Sequence, residues 1–245
     1  SNNLVIVSSR GVLGYSSDFS NELFFKQIKN NIDNFINVEQ YNKDRLFSLE
    51  DLTIYNNKIY ISYTEEIKED CWNTSVIFSE MNYENIEFKK LFSSKDCVHA
   101  FKNIDQEFTA SQSGGRIISF DDNHILLSVG DYRERHLAQK KDNINGKILK
   151  ININNLSYEI ISMGHRNPQG LYFDKENNFV LETEHGPKGG DEINLIELNE
   201  SEIPNYGWAI VSAGEHYRST ELKYKRYPLY KSHKEHGFIE PLKSF

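Results

Sequence analysis

The chain has 245 residues, a formal net charge of -8 and a hydrophobic fraction of 38%, with 14 Tyr and 15 Phe. A chain of this length can bury the core of one large domain, and an aromatic-rich, weakly hydrophobic composition favours sheets with half-buried faces. Lys and Arg form no stripe along the sequence, so we do not expect nucleic-acid binding. No apolar run approaches the ~20 residues that span a bilayer, so we do not expect a membrane span. We therefore expect one all-β domain over residues 1–245.

The first elements along the chain are predicted to be a strand and a helix. The stretch 3–9 is an apolar run of strand length. Between 21 and 36 apolar residues recur at roughly helical spacing, which favours a helix there, with a loop or an outer strand as the alternatives. Much later, the stretch 217–234 is rich in Tyr, Lys and Arg and is predicted to be a long irregular loop.

Three segments between these elements share a strand, turn, strand layout. In each, β-branched and aromatic residues alternate around an Asn-bearing turn, which is typical of a β-hairpin. The segments are 52–65, 116–131 and 170–186, and further strands are predicted at 74–81 and 146–153. Four strands per repeat is how a propeller blade is built, so we predict a β-propeller of four-stranded blades.

Cys71 and Cys97 are the two cysteines of the chain. Their spacing is too wide for a CxxC redox or zinc motif. They form either one disulfide or two buried thiols, and the sequence leaves both alternatives open.

The densest group of candidate site residues lies between 164 and 192. Arg166 and Asn167 fall on a turn between two predicted strands, and a guanidinium suits carboxylate or quinone oxygens, although it can equally tie down a loop. In the loop Glu-His-Gly-Pro-Lys-Gly-Gly-Asp-Glu, the backbone carbonyls suit calcium, although such acidic turns are usually only turns. Glu182 and Glu184 share one face of a strand, so a hydrolase that uses them with Asp131 is a further alternative.

The ordered string Gly-His-Arg-Asn-Pro-Gln-Gly, Glu-His-Gly-Pro-Lys-Gly-Gly-Asp-Glu and Asn-Tyr-Gly-Trp, within 164–208, resembles the soluble quinoprotein sugar dehydrogenases of the glucose/sorbosone dehydrogenase family. A weaker resemblance extends from about residue 46 to the end. It implies a six-bladed β-propeller, periplasmic or secreted, that oxidises an aldose with pyrroloquinoline quinone (PQQ) and calcium. The residues that match are Arg166 and Asn167 at PQQ, Gly186 and Pro187 at the calcium beside it, and Asp191, Glu192 and the Tyr206 backbone at a second calcium.

The segment Ser-Gln-Ser-Gly-Gly-Arg-Ile at 111–117 departs from the family pattern. Family members carry a histidine four positions before the residue that matches Arg116, and this histidine is the general base for the sugar hydroxyl. Here that position is Gln112, while Asp131 keeps its spacing. An amide cannot take the proton, and general-base catalysis is worth typically ~10²- to 10⁴-fold in rate. His136 and His165 are the only candidates for a replacement base, and we do not expect either to act as one. The alternatives are therefore a weak or inactive dehydrogenase and a noncatalytic, calcium-stabilised propeller that binds a sugar or a protein.

Two further stretches differ from the family. Where the family has a Gln-Gly-Gly-Leu-Leu stretch, this chain has Leu-Phe-Ser-Leu-Glu-Asp-Leu at 46–52, without the glutamine or the glycine pair. Beyond the position of Phe245 the family continues into its last blades, which supply the Lys and Arg residues that grip the PQQ carboxylates. We therefore expect a propeller without these C-terminal blades, an open arc that pairs with another copy or with a missing segment to cover its strand edges.

Overall fold

The computed structural model describes residues 3–17, 24–43, 48–198 and 201–245. Its strands in chain order are β1 (Leu4–Val7), β2 (Leu13–Ser16), β3 (Lys26–Asn30), β4 (Leu49–Tyr55), β5 (Lys58–Lys68), β6 (Cys71–Glu80), β7 (Asn85–Ile86), β8 (Lys89–Phe92), β9 (Val98–His99), β10 (Gly114–Asp121), β11 (His124–Val129), β12 (Lys147–Asn152), β13 (Tyr158–Met163), β14 (Pro168–Asp174), β15 (Phe179–Glu184), β16 (Glu192–Glu197) and β17 (Lys243–Ser244). The helices are α1 (Val38–Lys43) and α2 (Leu222–Arg226), with 3-10 turns at Ile32–Asn34, Ala110–Gln112, Arg135–Gln139 and Lys234–His236.

The described strands form four sheets that follow one another along the chain. Strands β1, β2, β3 and β7 form the first, and β4, β5, β6 and β8, with β9 beside β6, form the second. Strands β10 to β13 form the third and β14 to β17 the fourth. Neighbouring strands are antiparallel, except that β7 runs parallel to β3. This confirms the three hairpins, the additional strands and the four-stranded blade.

The helix favoured over 21–36 is wrong in the part that the structure describes, and the alternative of a strand holds, because residues 26–30 form β3. Residues 21–23 lie outside the described residues. Ile28 pairs with Leu13 across β2 and β3, and Ile32 sits in the 3-10 turn that follows. Both isoleucines face the same apolar core, so a strand and a turn reproduce the spacing of a helix face. The region 217–234 is irregular apart from α2 and the start of a 3-10 turn, as expected.

Apolar side chains fill the space between successive sheets. One cluster joins the first and second sheets through Leu13 and Ile61, and another joins the second and third through Tyr60 and Leu127. A further cluster that includes Ile148 and Val180 joins the third and fourth. Strand β10 lies beside both β4 and β14, so the first strands of three sheets meet. The segments that carry Gln112 and Arg166 lead into β10 and β14 at this meeting point.

Cys71 and Cys97 form a disulfide, which settles the alternative that the sequence left open. It links the start of β6 to the segment just before β9. In the described ranges, no helix has the length and apolar character that crossing a bilayer requires.

Candidate active site

Backbone hydrogen bonds hold the Gln112 and Asp131 segments side by side. The Tyr132 N–H donates to the carbonyl of Gln112 (3.0 Å), and the Gly130 N–H donates to that of Ser113 (2.8 Å). A side chain at Gly130 would lie 2.0 Å from the Gln112 carbonyl oxygen, so only glycine permits this approach. The Asp131 N–H donates to the Arg166 carbonyl (2.9 Å), which brings the turn before β14 to the same place.

The side chains of Gln112 and Asp131 are hydrogen-bonded to one another. With the amide oriented to satisfy its neighbours, the Gln112 nitrogen donates to Asp131 Oδ1 (2.9 Å), and its oxygen accepts from Arg133 Nε (3.0 Å) and Arg166 Nη2 (2.7 Å). Trp208 Nε1 donates to Asp131 Oδ2 (2.7 Å). Burial raises the pKa of Asp131, and the charge of Arg166 opposes that rise. The structure thus brings three of the four residues predicted at the cofactor and substrate together in one polar network.

Arg166 and Asn167 are fixed from below by Glu184, whose Oε2 accepts both of their backbone N–H groups. Arg166 Nη1 donates to the carbonyls of His185 (2.7 Å) and Gly186 (2.8 Å). Asn167 serves the Gln112 segment, because its amide accepts from Gly114 N–H (3.1 Å) and donates to the Ser111 carbonyl (3.2 Å). The Arg166 side chain therefore contacts Gln112, whereas the Asn167 amide links the turn before β14 to the segment that carries Gln112.

A cavity of about 480 Å³ opens over this network. Its lining includes four arginines and several aromatic rings, among them Arg133, Arg135, Arg166, Arg218, Phe108, Trp208, Tyr217 and Tyr224. Arg135 already pairs with Asp105 and Glu107, and the Arg166 guanidinium lies 5.4 Å from the centre of the Trp208 ring. The cavity suits a planar anion, because cations and aromatic faces line the same space.

Sequence reasoning missed two of the groups that shape this cavity. Arg133 follows Asp131 by two residues, and Trp208 ends the Asn-Tyr-Gly-Trp motif without a role having been assigned to it. Neither of the two histidines considered as a replacement base, His136 and His165, is among the residues that line the cavity. His216 lines it instead, stacked on Tyr224 with ring centres 4.3 Å apart, and burial lowers its pKa.

The predicted calcium residues divide into two groups. Gly186, Pro187, Glu192 and Tyr206 line one small cavity of about 10 Å³, room for about one water or ion. Burial and the nearby carboxylate of Glu184 raise the pKa of Glu192 to about 8. Asp191 is exposed and accepts the Gly186 N–H through Oδ1 (3.0 Å), so it braces the loop.

The carboxylates of the hydrolase alternative do not form a substrate site. Glu182 and Glu184 are buried beneath the cavity, and Glu184 is occupied by the backbone of Arg166 and Asn167. Asp131 belongs to the network with Gln112 and Trp208 instead. A pair of acids that no substrate reaches cannot act as the acid and base of a hydrolase.

Four blade-like sheets follow one another along the chain, and the first strands of three of them meet beside a cavity lined by arginines and aromatic rings. This is the architecture of a β-propeller. The family model of glucose/sorbosone dehydrogenases matches residues 49–245, so the chain belongs to that family.

Two relatives whose names state a function agree with this assignment. Aldose sugar dehydrogenase YliI of Escherichia coli K12 is 27% identical over 180 residues, which is 68% of this chain and 46% of that protein. Quinoprotein glucose dehydrogenase B of Acinetobacter calcoaceticus is 31% identical over 128 residues, 40% of this chain and 26% of the relative. The chain thus spans less than half the length of these relatives.

Solved structures show the same fold. A glucose dehydrogenase crystal structure matches 98% of this chain and 68% of its own, with a TM-score of 0.70 at 22% identity. The PQQ-bound aldose sugar dehydrogenase of Streptomyces coelicolor matches 99% of this chain and 64% of its own, with a TM-score of 0.66 at 17% identity. At these identities the similarity establishes the β-propeller architecture alone.

Proposed function

We propose that this chain is the PQQ-binding part of an aldose dehydrogenase in which the proton-accepting position is Gln112, so that sugar oxidation is far slower than with a histidine there. Family membership and the quinoprotein and aldose dehydrogenase relatives support the reaction class. The observation that carries the proposal is the pairing of Arg166 with Gln112 (2.7 Å) on the wall of the 480 Å³ cavity.

The groups around the cavity fit PQQ, a planar quinone with three carboxylates. Arg133, Arg166 and Arg218 supply positive charge, and Trp208 and Tyr217 supply flat apolar surface. Burial lowers the pKa of Arg166, because its charge is desolvated, and an anion bound beside it compensates for that loss. PQQ, when bound, supplies the acceptor for the hydride that leaves C1 of the aldose.

The hydroxyl proton of the sugar then needs a base, and the network around Gln112 offers a poor one. The Gln112 oxygen already accepts from two arginines. Asp131 is fully buried and accepts from Trp208 Nε1, from the Gln112 amide and from the Arg133 N–H (2.7 Å). Both side chains therefore orient their neighbours instead of taking the proton, and the loss of a general base is worth ~10²- to 10⁴-fold in rate.

We also propose calcium at the loop of residues 186–192. Gly186, Pro187, Glu192 and Tyr206 line the 10 Å³ cavity. Their backbone carbonyls and the Glu192 carboxylate offer the oxygen ligands that calcium prefers. The Gly186 carbonyl also accepts from Arg166 (2.8 Å), which leaves its second lone pair for a cation. Asp191 contributes by holding the loop.

A noncatalytic role, in which the propeller binds a sugar or a protein, is the second candidate. The hydrogen bonding of Gln112 favours this role, because a side chain whose amide nitrogen and oxygen both have partners stabilises the chain segments around it. In either role we propose a periplasmic or secreted location, which the Cys71–Cys97 disulfide supports, since disulfides persist in oxidising compartments.

Gln112→His tests the catalytic proposal. With PQQ and calcium present, the variant is expected to reduce a redox dye with aldoses at least ~10-fold faster than the wild-type chain, because a base is restored. Gln112→Asn is the control, since it disturbs the same network without adding a base. PQQ binding is measured separately by absorbance titration. Failure to bind PQQ would overturn the cofactor assignment, and binding without any gain from histidine would favour the noncatalytic role.

A further inference from the structure

Beneath the cavity lies a second polar cluster that the proposed reaction does not use. It consists of His165, Glu182, Glu184 and Asn194, all buried. Glu182 and Glu184 share the inner face of β15, and Asn194 is the register partner of Glu182 on β16. His165 comes from the turn that leads into β14 and places its ring against both carboxylates.

Three potential ligand atoms converge at the spacing of a metal's coordination shell. His165 Nδ1 lies 3.3 Å from Glu184 Oε1 and 3.6 Å from Glu182 Oε2. Ligands held ~2.0 to 2.2 Å from a tetrahedral ion are themselves separated by about 3.3 to 3.6 Å. One atom from each of the three residues lies within 4.8 Å of the others.

The outer contacts orient these atoms as they do in metal sites. The other ring nitrogen of His165, Nε2, lies 2.7 Å from Ser162 Oγ. When Nε2 carries the proton and donates to this hydroxyl, Nδ1, which lies 3.3 Å from Glu184 Oε1, presents a lone pair to an ion. Asn194 Nδ2 donates to Glu182 Oε2 (2.9 Å) and to Glu184 Oε1 (3.2 Å). Backbone N–H groups hold the second oxygen of Glu184. Both carboxylates are therefore fixed before any ion arrives.

With His165 neutral, as a metal ligand must be, no cation in the described part of the chain balances the two carboxylates of this cluster. Glu182 is 0% exposed, and its Oε1 has no hydrogen-bond partner. Among the described residues, no Lys or Arg side chain forms an ion pair with Glu182 or Glu184. Two buried carboxylates in one cluster require a proton, a protonated His165 or a bound cation to compensate their charge.

We propose that His165, Glu182 and Glu184 bind one divalent transition-metal ion, for which zinc is the probe. An imidazole with two carboxylates suits zinc or manganese, whereas calcium prefers oxygen ligands alone. The site is therefore chemically distinct from the calcium loop. Glu184 also borders the 10 Å³ cavity, whose lining shares Arg166, Pro187 and Trp208 with that of the larger cavity.

Zinc titration of the chelator-treated chain, in buffer saturated with calcium, tests this site by calorimetry. We expect one tight zinc site in the wild-type chain. Ser162→Ala, which removes only the partner of Nε2, is expected to weaken it by about 10- to 100-fold. Glu182→Gln, which keeps the shape and removes the charge, is expected to weaken it more. Glu197→Gln, an exposed acid on the adjacent β16, is the matched control and is expected to change nothing.

Exposed His185 and Asp191, 3.3 Å apart, are a competing place for zinc. Zinc affinity that is lost in Asp191→Asn and kept in Glu182→Gln would overturn the proposal, as would the absence of tight zinc binding in the wild-type chain. Anomalous diffraction at the zinc edge on wild-type crystals locates the ion without any variant. A peak between His165 and Glu182 supports the site, and a peak only at His185 contradicts it.

Discussion

Glu50 is a residue beside the site whose protonation is linked to folding. It precedes Asp51 on β4, and Thr64 Oγ1 donates to its Oε1 (2.9 Å). Burial raises the pKa of Glu50 to about 7, and the hydrogen bonds from Thr64 and Ser113 only partly oppose that rise. The folded chain therefore holds a proton here at pH values where the unfolded chain, with a carboxyl pKa of 4.5, has lost it.

This difference predicts a definite pH dependence. Because the folded state binds more protons between pH 4.5 and about 7, the contribution of Glu50 to stability falls as pH rises through that window and is constant above it. Glu50→Gln removes the titration. The melting temperature of the variant relative to wild type is therefore expected to be higher at pH 8 than at pH 5. Glu80→Gln, which replaces an exposed acid, is the control, and an equal offset at both pH values would contradict the assignment.

At the scale of elements, the start of β10 depends on its glycine pair. Gly115 has φ +93°, and a side chain there would lie 2.4 Å from Cβ of Glu50. Gly189, in the calcium loop, has φ +68° but nothing within 4 Å of the same position. Both glycines adopt backbone angles that alanine disfavours, and only Gly115 adds a collision.

The comparison of Gly115→Ala with Gly189→Ala separates these two costs. Gly189→Ala is expected to lower the free energy of unfolding by about 1 to 2 kcal/mol through backbone strain alone. Gly115→Ala is expected to lower the free energy of unfolding by more, because Glu50 and strand β4 must also move away from β10. The free energy of unfolding is measured by urea denaturation. Equal losses in the two variants would show that the contact between β4 and β10 does not constrain this turn.

The elements that the sequence predicts correctly are those with local signals. Alternating residues around the turns at Asn57, Asn123 and Asn178 identify hairpins, because strand pairing across a short turn depends on neighbouring residues. The helix over 21–36 fails because Ile28 and Ile32 reach one core from different elements, which a periodicity count cannot distinguish from a helix face.

The candidate site is predictable only in part, for a similar reason. The motifs identify Arg166, Asp131 and the changed residue Gln112, because each occupies a recognisable position in an ordered string. The roles of Arg133 and Trp208 depend on two chain segments meeting across the cavity, and the Trp208 to Asp131 hydrogen bond spans 77 residues. No local pattern records such a contact.

At the scale of the whole molecule, the first blade leaves apolar side chains uncovered. On β1, Val5 and Val7 pack against the core, whereas Leu4 and Ile6, on the opposite face, are 40% and 41% exposed. In a propeller, each face of a blade packs against the facing sheet of a neighbouring blade. An apolar sheet face that is open to water favours association with another copy.

We therefore expect the 245-residue chain to self-associate through β1, with a mass in light scattering that rises with concentration. Leu4→Lys combined with Ile6→Lys is expected to shift the chain towards monomer, because two charges oppose burial of this face. Leu156→Lys with Leu222→Lys, at exposed sites on a turn and on α2, is the control. A single monomeric mass for the wild-type chain at every concentration would contradict the expectation. Association that persists in the β1 variant but falls in the control would place the contact elsewhere.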